Sequence, residues 1–324
     1  VHLEGLQPGT QYFYKTRTGG SYSQVYHFKT APDGGEDPFQ IVAMSDMQRD
    51  WGNPTIFNQL IQNGVMSFVQ DSLGNDLPAN LQMVIIPGDL VDNGLNYSEW
   101  ESTFFDPQHP LFSYVPVYPV LGNHENNTAS YFKYFHLPNN GSVGYEEHWW
   151  FKDHSNVRII GLNSNGAYQI AEQLLWLDTV LNTAAADTNI DFVFVQLHHP
   201  YHSELWPPGN TAYTGMVIPK LENFSTASGK PSIHFFGHTH GYSRGNSRDH
   251  NHMMVNVATA GGNIDFWGEY AAIDYPEYIE SMDEYGFVYV TVEAGVNPKL
   301  ILKRFNMGDG AVLSPISLED LIVI

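Results

Sequence analysis

Short apolar runs recur along this chain, at residues 39–44, 81–86, 115–120, 157–162, 192–197, 233–236, 253–258, 287–292 and 300–302. Most are rich in Val, Ile and Phe and none is long enough for a helix, so each reads as a buried strand. Longer stretches with helical spacing lie between several of them. Ile56, Leu60, Ile61, Val65 and Phe68 fall on one face of a helix predicted over 54–69, and Leu174, Leu177, Val180 and Leu181 do the same over 171–181. Strands alternating with helices imply an α/β core. In open α/β sheets, ligands bind at the carboxyl ends of the strands.

Five of these runs end in residues that can do chemistry. The run at 39–44 leads into Ser45-Asp46-Met47-Gln48, that at 81–86 into Pro87-Gly88-Asp89-Leu90-Val91-Asp92, and that at 115–120 into Leu121-Gly122-Asn123-His124-Glu125. The runs at 192–197 and 233–236 lead into His198-His199-Pro200 and Gly237-His238-Thr239-His240. Taken alone, an Asp after a strand is more often a cap or turn residue than a ligand, and a single histidine is usually just packed. Five strand ends that all carry Asp, Asn or His outweigh those readings together. His238 and His240 are the sharpest pair, because side chains two residues apart share a direction only in extended backbone. The glycines ahead of three of these motifs suit tight turns.

Composition narrows the chemistry. The 324 residues carry a formal net charge of −21, which argues against nucleic acid as the main partner and against an anionic membrane surface. An anionic small substrate remains compatible if bound cations reverse the sign locally. There is no cysteine, so thiol nucleophiles and thiolate metal sites are excluded. Any metal must be held by carboxylate, amide or imidazole, a set that suits hard or borderline ions. No window of about 18 apolar residues is present, so no transmembrane helix is predicted. The acidity, the missing cysteines and a β segment ahead of the main body point to an extracellular or periplasmic location.

The series Asp46-x-Gln48, Gly88-Asp89, Gly122-Asn123-His124-Glu125, His198-x-Pro200 and Gly237-His238-x-His240 resembles the calcineurin-like metallophosphoesterases. It is most similar to the purple acid phosphatase branch, through His198-His199-Pro200-Tyr201, the segment from Gly237 to Arg244, and Ala260-Gly261-Gly262-Asn263. The resemblance covers residues 39 to 305. It implies an α/β/β/α sandwich with two metal ions, Fe, Mn or Zn, at the sheet edge. Carried over by position, Asp46, Asp89 and His240 hold the first ion. Asp89 bridges to the second, which Asn123, His198 and His238 complete, while His124 sits beside the substrate. His202 and Arg244 are weaker candidates for meeting substrate, each weighed against an ordinary surface or structural role. His199 reads as a supporting residue rather than a ligand.

Two departures from the family stand out. Most of the superfamily has His where this chain has Gln48, which either offers its amide oxygen to the first ion or only hydrogen-bonds nearby. The purple enzymes carry a metal-bound Tyr three residues after the bridging Asp, where this chain has Asp92, so the protein is predicted not to be purple. The implied activity is hydrolysis of small phosphate monoesters by attack of a metal-bridging hydroxide, with His124 assisting the leaving group and Glu125 or another acid orienting it. A phosphodiesterase or nucleotide hydrolase on the same centre is the alternative. A third reading is a metal-binding or adhesive module without activity.

The front of the chain alternates in strand fashion around a Gly19-Gly20-Ser21 turn. Residues 1–31 are similar to the last strands of a fibronectin-type domain, 32–38 read as a Gly, Pro and acid linker, 39–306 as the catalytic domain, and 307–324 as a final strand or tail. Two strands make no core of their own, so the front segment is expected to pack on the catalytic domain.

Overall fold

The computed structural model describes residues 3–32, 38–271 and 273–324. Four short strands come first, β1 (Gln11–Tyr14), β2 (Arg17–Thr18), β3 (Ser21–Tyr22) and β4 (Tyr26–Lys29). β1 pairs antiparallel with β4, and β2 with β3. As expected of so small a unit, this piece leans on the main body. The Tyr14 hydroxyl donates to the Ser113 carbonyl at 2.6 Å, Tyr26 meets His109 at 3.2 Å and His27 meets Asp76 at 3.0 Å. Most of the expected linker, residues 33–37, lies outside the described residues.

The main body is two stacked sheets. The strands in chain order are β5 (Phe39–Ala43), β6 (Met83–Ile86), β7 (Val117–Pro119), β8 (Trp150–His154), β9 (Val157–Gly161), β10 (Phe192–Gln196), β11 (Ser232–Phe236), β12 (Tyr242–Asn246), β13 (His252–Val257), β14 (Tyr278–Met282), β15 (Gly286–Glu293), β16 (Lys299–Asn306) and β17 (Ser317–Val323). One sheet runs β17-β16-β15-β5-β6-β7 and the other β14-β12-β13-β11-β10-β9-β8. In the first, β5, β6 and β7 are parallel. In the second, β9, β10, β11 and β13 are parallel. The tail is a strand, pairing antiparallel with β16 from Ile301↔Val323 to Asn306↔Ser317.

Side-chain alternation sorts β10 between two cores. Phe192 and Phe194 join Ile41, Ile85, Phe235 and Val255 between the sheets. Val193, Val195 and Leu197 face the other way, onto Leu177, Val180, Leu181, Val217 and Leu221 of helices Ala171–Ala186 and Thr214–Ser228. The first sheet is covered by the helical run 56–73, whose Phe68 ring meets Phe287, Tyr289 and Phe305. The result is the α/β/β/α sandwich the sequence implies. Both sets of parallel strands end at one edge, and the main chain staples the two sheets there. Ser45 N–H donates to Val257 O at 3.0 Å, and Ala260 N–H to Ser45 O at 3.1 Å.

Candidate metal centre

Three of the strand-end residues adopt a left-handed backbone without being glycine: Asp46 (φ 60°), Asp89 (φ 53°) and His238 (φ 76°). Such a conformation costs of order 1–3 kcal/mol per residue and persists only where the surroundings over-determine it. Here they do. Met47 N–H donates to Asp89 O at 2.8 Å, Gly262 N–H to Asp46 O at 2.8 Å and Gly237 N–H to His198 O at 3.0 Å. The buried Glu125 carboxylate accepts the backbone N–H groups of Asp89 (3.0 Å), Leu90 (2.7 Å) and Gly122 (2.7 Å), locking two loops together. Burial, with Asp89 adding to it, pushes the Glu125 carboxyl up to about 7. The glycines serve a purpose beyond turning. A Cβ on Gly237 would lie 2.2 Å from Asp46 Oδ2, and one on Gly122 would lie 2.1 Å from Asp89 Oδ1. They clear space for the two carboxylates.

These loops bring seven predicted ligands to one place. Asn123 Oδ1 lies 2.9 Å from His198 Nε2 and 2.9 Å from His238 Nδ1, and the two ring nitrogens are 3.2 Å apart. Asp89 Oδ2 is 3.1 Å from His198 Nε2. On the other side of the carboxylates, His240 Nε2 is 3.4 Å from Asp46 Oδ1 and 2.8 Å from the Gln48 amide nitrogen. Asp46, Asp89 and His198 each offer a ligand atom within 4.8 Å of the others. Carbonyl groups behind the rings fix the tautomers, since a carbonyl can only accept. His198 Nδ1 faces Pro87 O at 2.9 Å and His240 Nδ1 faces Asn263 O at 2.5 Å, which leaves each Nε2 lone pair for the centre.

The donor set fits divalent metal ions. Carboxylate, amide and imidazole ligand atoms converge here, and the buried Gln48 Oε1 has no hydrogen-bond partner among the described residues. A half-turn of that amide would present the oxygen, rather than the NH₂, at His240 Nε2. The protonation pattern carries the same sense. Burial disfavours charge on His198, yet Asp89 and Asp46 outweigh it and raise the ring to about 9. For His240 burial again opposes and the Asp46 carboxylate prevails, raising it to about 9. For Asp89 burial pushes up, but His198 and then His124 hold the carboxyl well below the usual range. His238, lowered to about 4 by burial and His198, is a neutral donor. The two protons on His198 and His240 occupy positions that cations would take.

His124, a third exposed, has Nε2 3.8 Å from Asp89 Oδ2. Its Nδ1 donates to the Asp92 backbone carbonyl at 2.6 Å, with the Asp92 carboxylate at 3.8 Å. Of the two options expected, Glu125 or another acid, Glu125 is spent on backbone amides and Asp92 is the residue at the ring. The two weaker substrate candidates are held by other partners. Arg244 is buried in a bidentate pair with Asp320 of β17, at 2.5 and 2.9 Å, with the Tyr242 hydroxyl on the same carboxylate at 2.6 Å. It ties the two sheets together, with its Nε and one terminal nitrogen committed to Asp320. His202 is stacked between Tyr201 and Tyr275, at 3.9 and 4.2 Å between centroids, and lines a separate cavity with Glu222, Arg248 and Glu277. His199 bonds Ser164 Oγ at 2.9 Å and packs on His238 at 4.6 Å, a supporting position. Asp265, whose carboxylate accepts the His240 N–H at 2.8 Å, was not singled out in the sequence. Its signal was only its place two residues after Asn263.

Comparison with known proteins bears on the family and the fold. The family model described as calcineurin-like phosphoesterase matches residues 39–242. An uncharacterized protein of Mycobacterium tuberculosis is 26% identical over 233 residues, which are 61% of this chain and 42% of that protein. A probable glycerophosphodiester phosphodiesterase, GpdQ, of Arcobacter nitrofigilis is 30% identical over 141 residues, 39% of this chain and 44% of that protein. The chain therefore spans less than half the length of these curated relatives. Among solved structures, the purple acid phosphatase PPD1 of yellow lupin (Lupinus luteus) superposes with a TM-score of 0.72 at 19% identity, covering 99% of this chain and 60% of that one.

Proposed function

The chain belongs to the calcineurin-like phosphoesterase family, and on that premise we propose that it hydrolyses small phosphate monoesters at a pair of metal ions. Asp46, Gln48, Asp89 and His240 would hold one ion, and Asp89, Asn123, His198 and His238 the other. The observation that carries the reading is the convergence of Asn123 Oδ1, His198 Nε2 and His238 Nδ1 within 2.9–3.2 Å of one another, beside the Asp89 carboxylate. Bound divalent cations supply the positive charge that a −21 chain otherwise lacks and the acidity that makes water a nucleophile near neutral pH.

The protein's own groups do the rest. Asn123 and Gln48 are neutral, so they coordinate without cancelling the charge that draws an anionic phosphoryl group. Asp92 holds the His124 ring by Nδ1, so that Nε2 stands free on the side of Asp89. In its protonated form Nε2–H donates to the departing alkoxide, the step for which a positioned acid contributes roughly 10²–10⁴-fold. Glu125 and the carbonyls of Pro87 and Asn263 keep the ligands from reorganising during turnover. The similarity to a probable phosphodiesterase supports a second reading, diester hydrolysis on the same centre. The N-terminal strands fit the end of a preceding β domain that braces the catalytic one through Tyr14, Tyr26 and His27.

Metal analysis combined with a monoester and a diester assayed side by side tests both readings. Asn123→Ala should keep its fold and lose turnover of both esters by at least about a hundredfold. A faster diester reaction in the parent protein would favour the second reading. No turnover of either ester with any added divalent metal would leave only the inactive binding module.

A further inference from the structure

A cavity of about 460 Å³ opens beside the centre, walled by His199, Trp206, Pro208, Asn210 and the candidate ligand His238. Its volume suits a nucleoside-sized group. Trp206 stacks on the His238 ring at 5.1 Å and 21°, and Tyr270, from a different loop, stacks on Trp206 at 5.7 Å and 23°. The three rings make a near-parallel ladder leading outward from the metal ligand. Both outer rings remain substantially exposed, 41% for Trp206 and 39% for Tyr270.

The exposure of Trp206 is built rather than incidental. The three residues before it are anchored. Ser203 Oγ accepts the Trp206 N–H at 3.2 Å, and the buried Glu204 carboxylate accepts Tyr275 N–H at 2.9 Å and the Ser281 hydroxyl at 2.5 Å. Leu205 is buried against Gly241, where a Cβ would come within 2.1 Å of its Cδ1. A loop held this firmly presents an indole face at a fixed place beside the reacting centre. Flat aromatic groups stack on such a face with an energy that aliphatic groups of equal size do not gain.

We infer that Trp206 and Tyr270 form a leaving-group subsite, and that the enzyme favours phosphate esters whose alcohol carries an aromatic or heteroaromatic ring. The inference rests on the phosphoesterase reading for its substrate, but the subsite can be tested without turnover. Two ester pairs with matched primary-alcohol leaving groups separate ring recognition from leaving-group reactivity. They are adenosine 5′-phosphate against ribose 5-phosphate, and 2-phenylethyl phosphate against 2-cyclohexylethyl phosphate. The ring-bearing ester should have kcat/KM higher by about tenfold or more, mainly through KM. That ratio should collapse toward one in Trp206→Ala and persist in Trp206→Phe. A preference in both pairs means any aromatic ring is accepted; a preference in the first alone points to nucleotides. Ratios near one in the parent protein, or unchanged in Trp206→Ala, overturn the subsite. Calorimetric titration with adenosine and with 2-phenylethanol gives the independent arm. If no ester is turned over, the phosphoesterase reading fails by itself. Binding of adenosine or 2-phenylethanol weakened about tenfold in Trp206→Ala still upholds the subsite, and its absence removes it.

Discussion

Gln48 is one of the two positions at which the motifs depart from the pattern that the resemblance implies, and its surroundings decide what it can do. Its amide nitrogen lies 2.8 Å from His240 Nε2 while its oxygen is buried without a partner among the described residues. An unsatisfied buried oxygen costs about 1–3 kcal/mol, which a half-turn toward a bound cation would recover. Gln48→Ala should therefore fold normally but retain about one metal equivalent per chain instead of two, read by elemental analysis after dialysis. Retention of two would assign Gln48 to hydrogen bonding alone. At this scale the ligand motifs were legible because each lies within five residues of its strand. Arg244 and His202 were not. The partner of Arg244, Asp320, is 76 residues away, and the partners of His202 include Tyr275 from a distant loop. Long-range pairing of this kind leaves no local mark. Trp206 was silent for the same reason, since an aromatic in a Pro-rich loop reads as neither core nor site until its neighbours are known.

Among the elements, the strand-to-loop junctions carry the chemistry, and their tolerance is small. Gly237→Ala would drive a methyl to 2.2 Å from Asp46 Oδ2 and 2.3 Å from Ser45 Oγ. Overpacking of this sort costs typically 1–3 kcal/mol. We expect a lower melting temperature and a fall in kcat/KM of at least about a hundredfold, because the carboxylate that must move is a ligand. Near-normal activity with a normal melting temperature would show that the Asp46 carboxylate need not stay where it is. The sequence revealed the apolar strands β5, β6, β7, β9, β10, β11, β13, β15 and β16, most of them buried and rich in branched or aromatic side chains. It hid β12, whose Tyr-Ser-Arg-Gly-Asn has no apolar alternation and is buried through the Arg244–Asp320 pair. It also hid helix Thr214–Ser228, which carries an internal Pro219. In both, tertiary partners override local preference.

For the whole molecule, two sets of histidines pull stability in opposite directions with pH. His148, His154 and His238 are lowered to about 4 and His252 to about 3, each chiefly by burial. Stability from these neutral rings is full above their unfolded value near 6.5 and is lost as pH falls through the folded values. His198 and His240, raised to about 9 against burial by Asp89 and Asp46, act in reverse. Their contribution is complete below about 6.5 and is lost as pH rises through 9. Glu125, raised to about 7, weakens the fold between its ordinary 4.5 and 7, but it is one group against four in that range. The metal-free protein should therefore melt highest near pH 6.5 and lower on either side. Added metal must displace the His198 and His240 protons, so its stabilising effect should grow steadily from pH 6.5 to 9. Thermal melts with chelator and with metal across that range check both slopes. A metal-free melting temperature that climbs toward pH 9 would refute the assignment of protons to those two rings.

The most direct measurement is anomalous diffraction from crystals loaded with manganese or zinc. Two peaks roughly 3.5–4 Å apart, both within bonding distance of Asp89, one beside His240 and the other beside Asn123, His198 and His238, are what a binuclear centre requires. A single peak, or none within reach of Asp89, would contradict it.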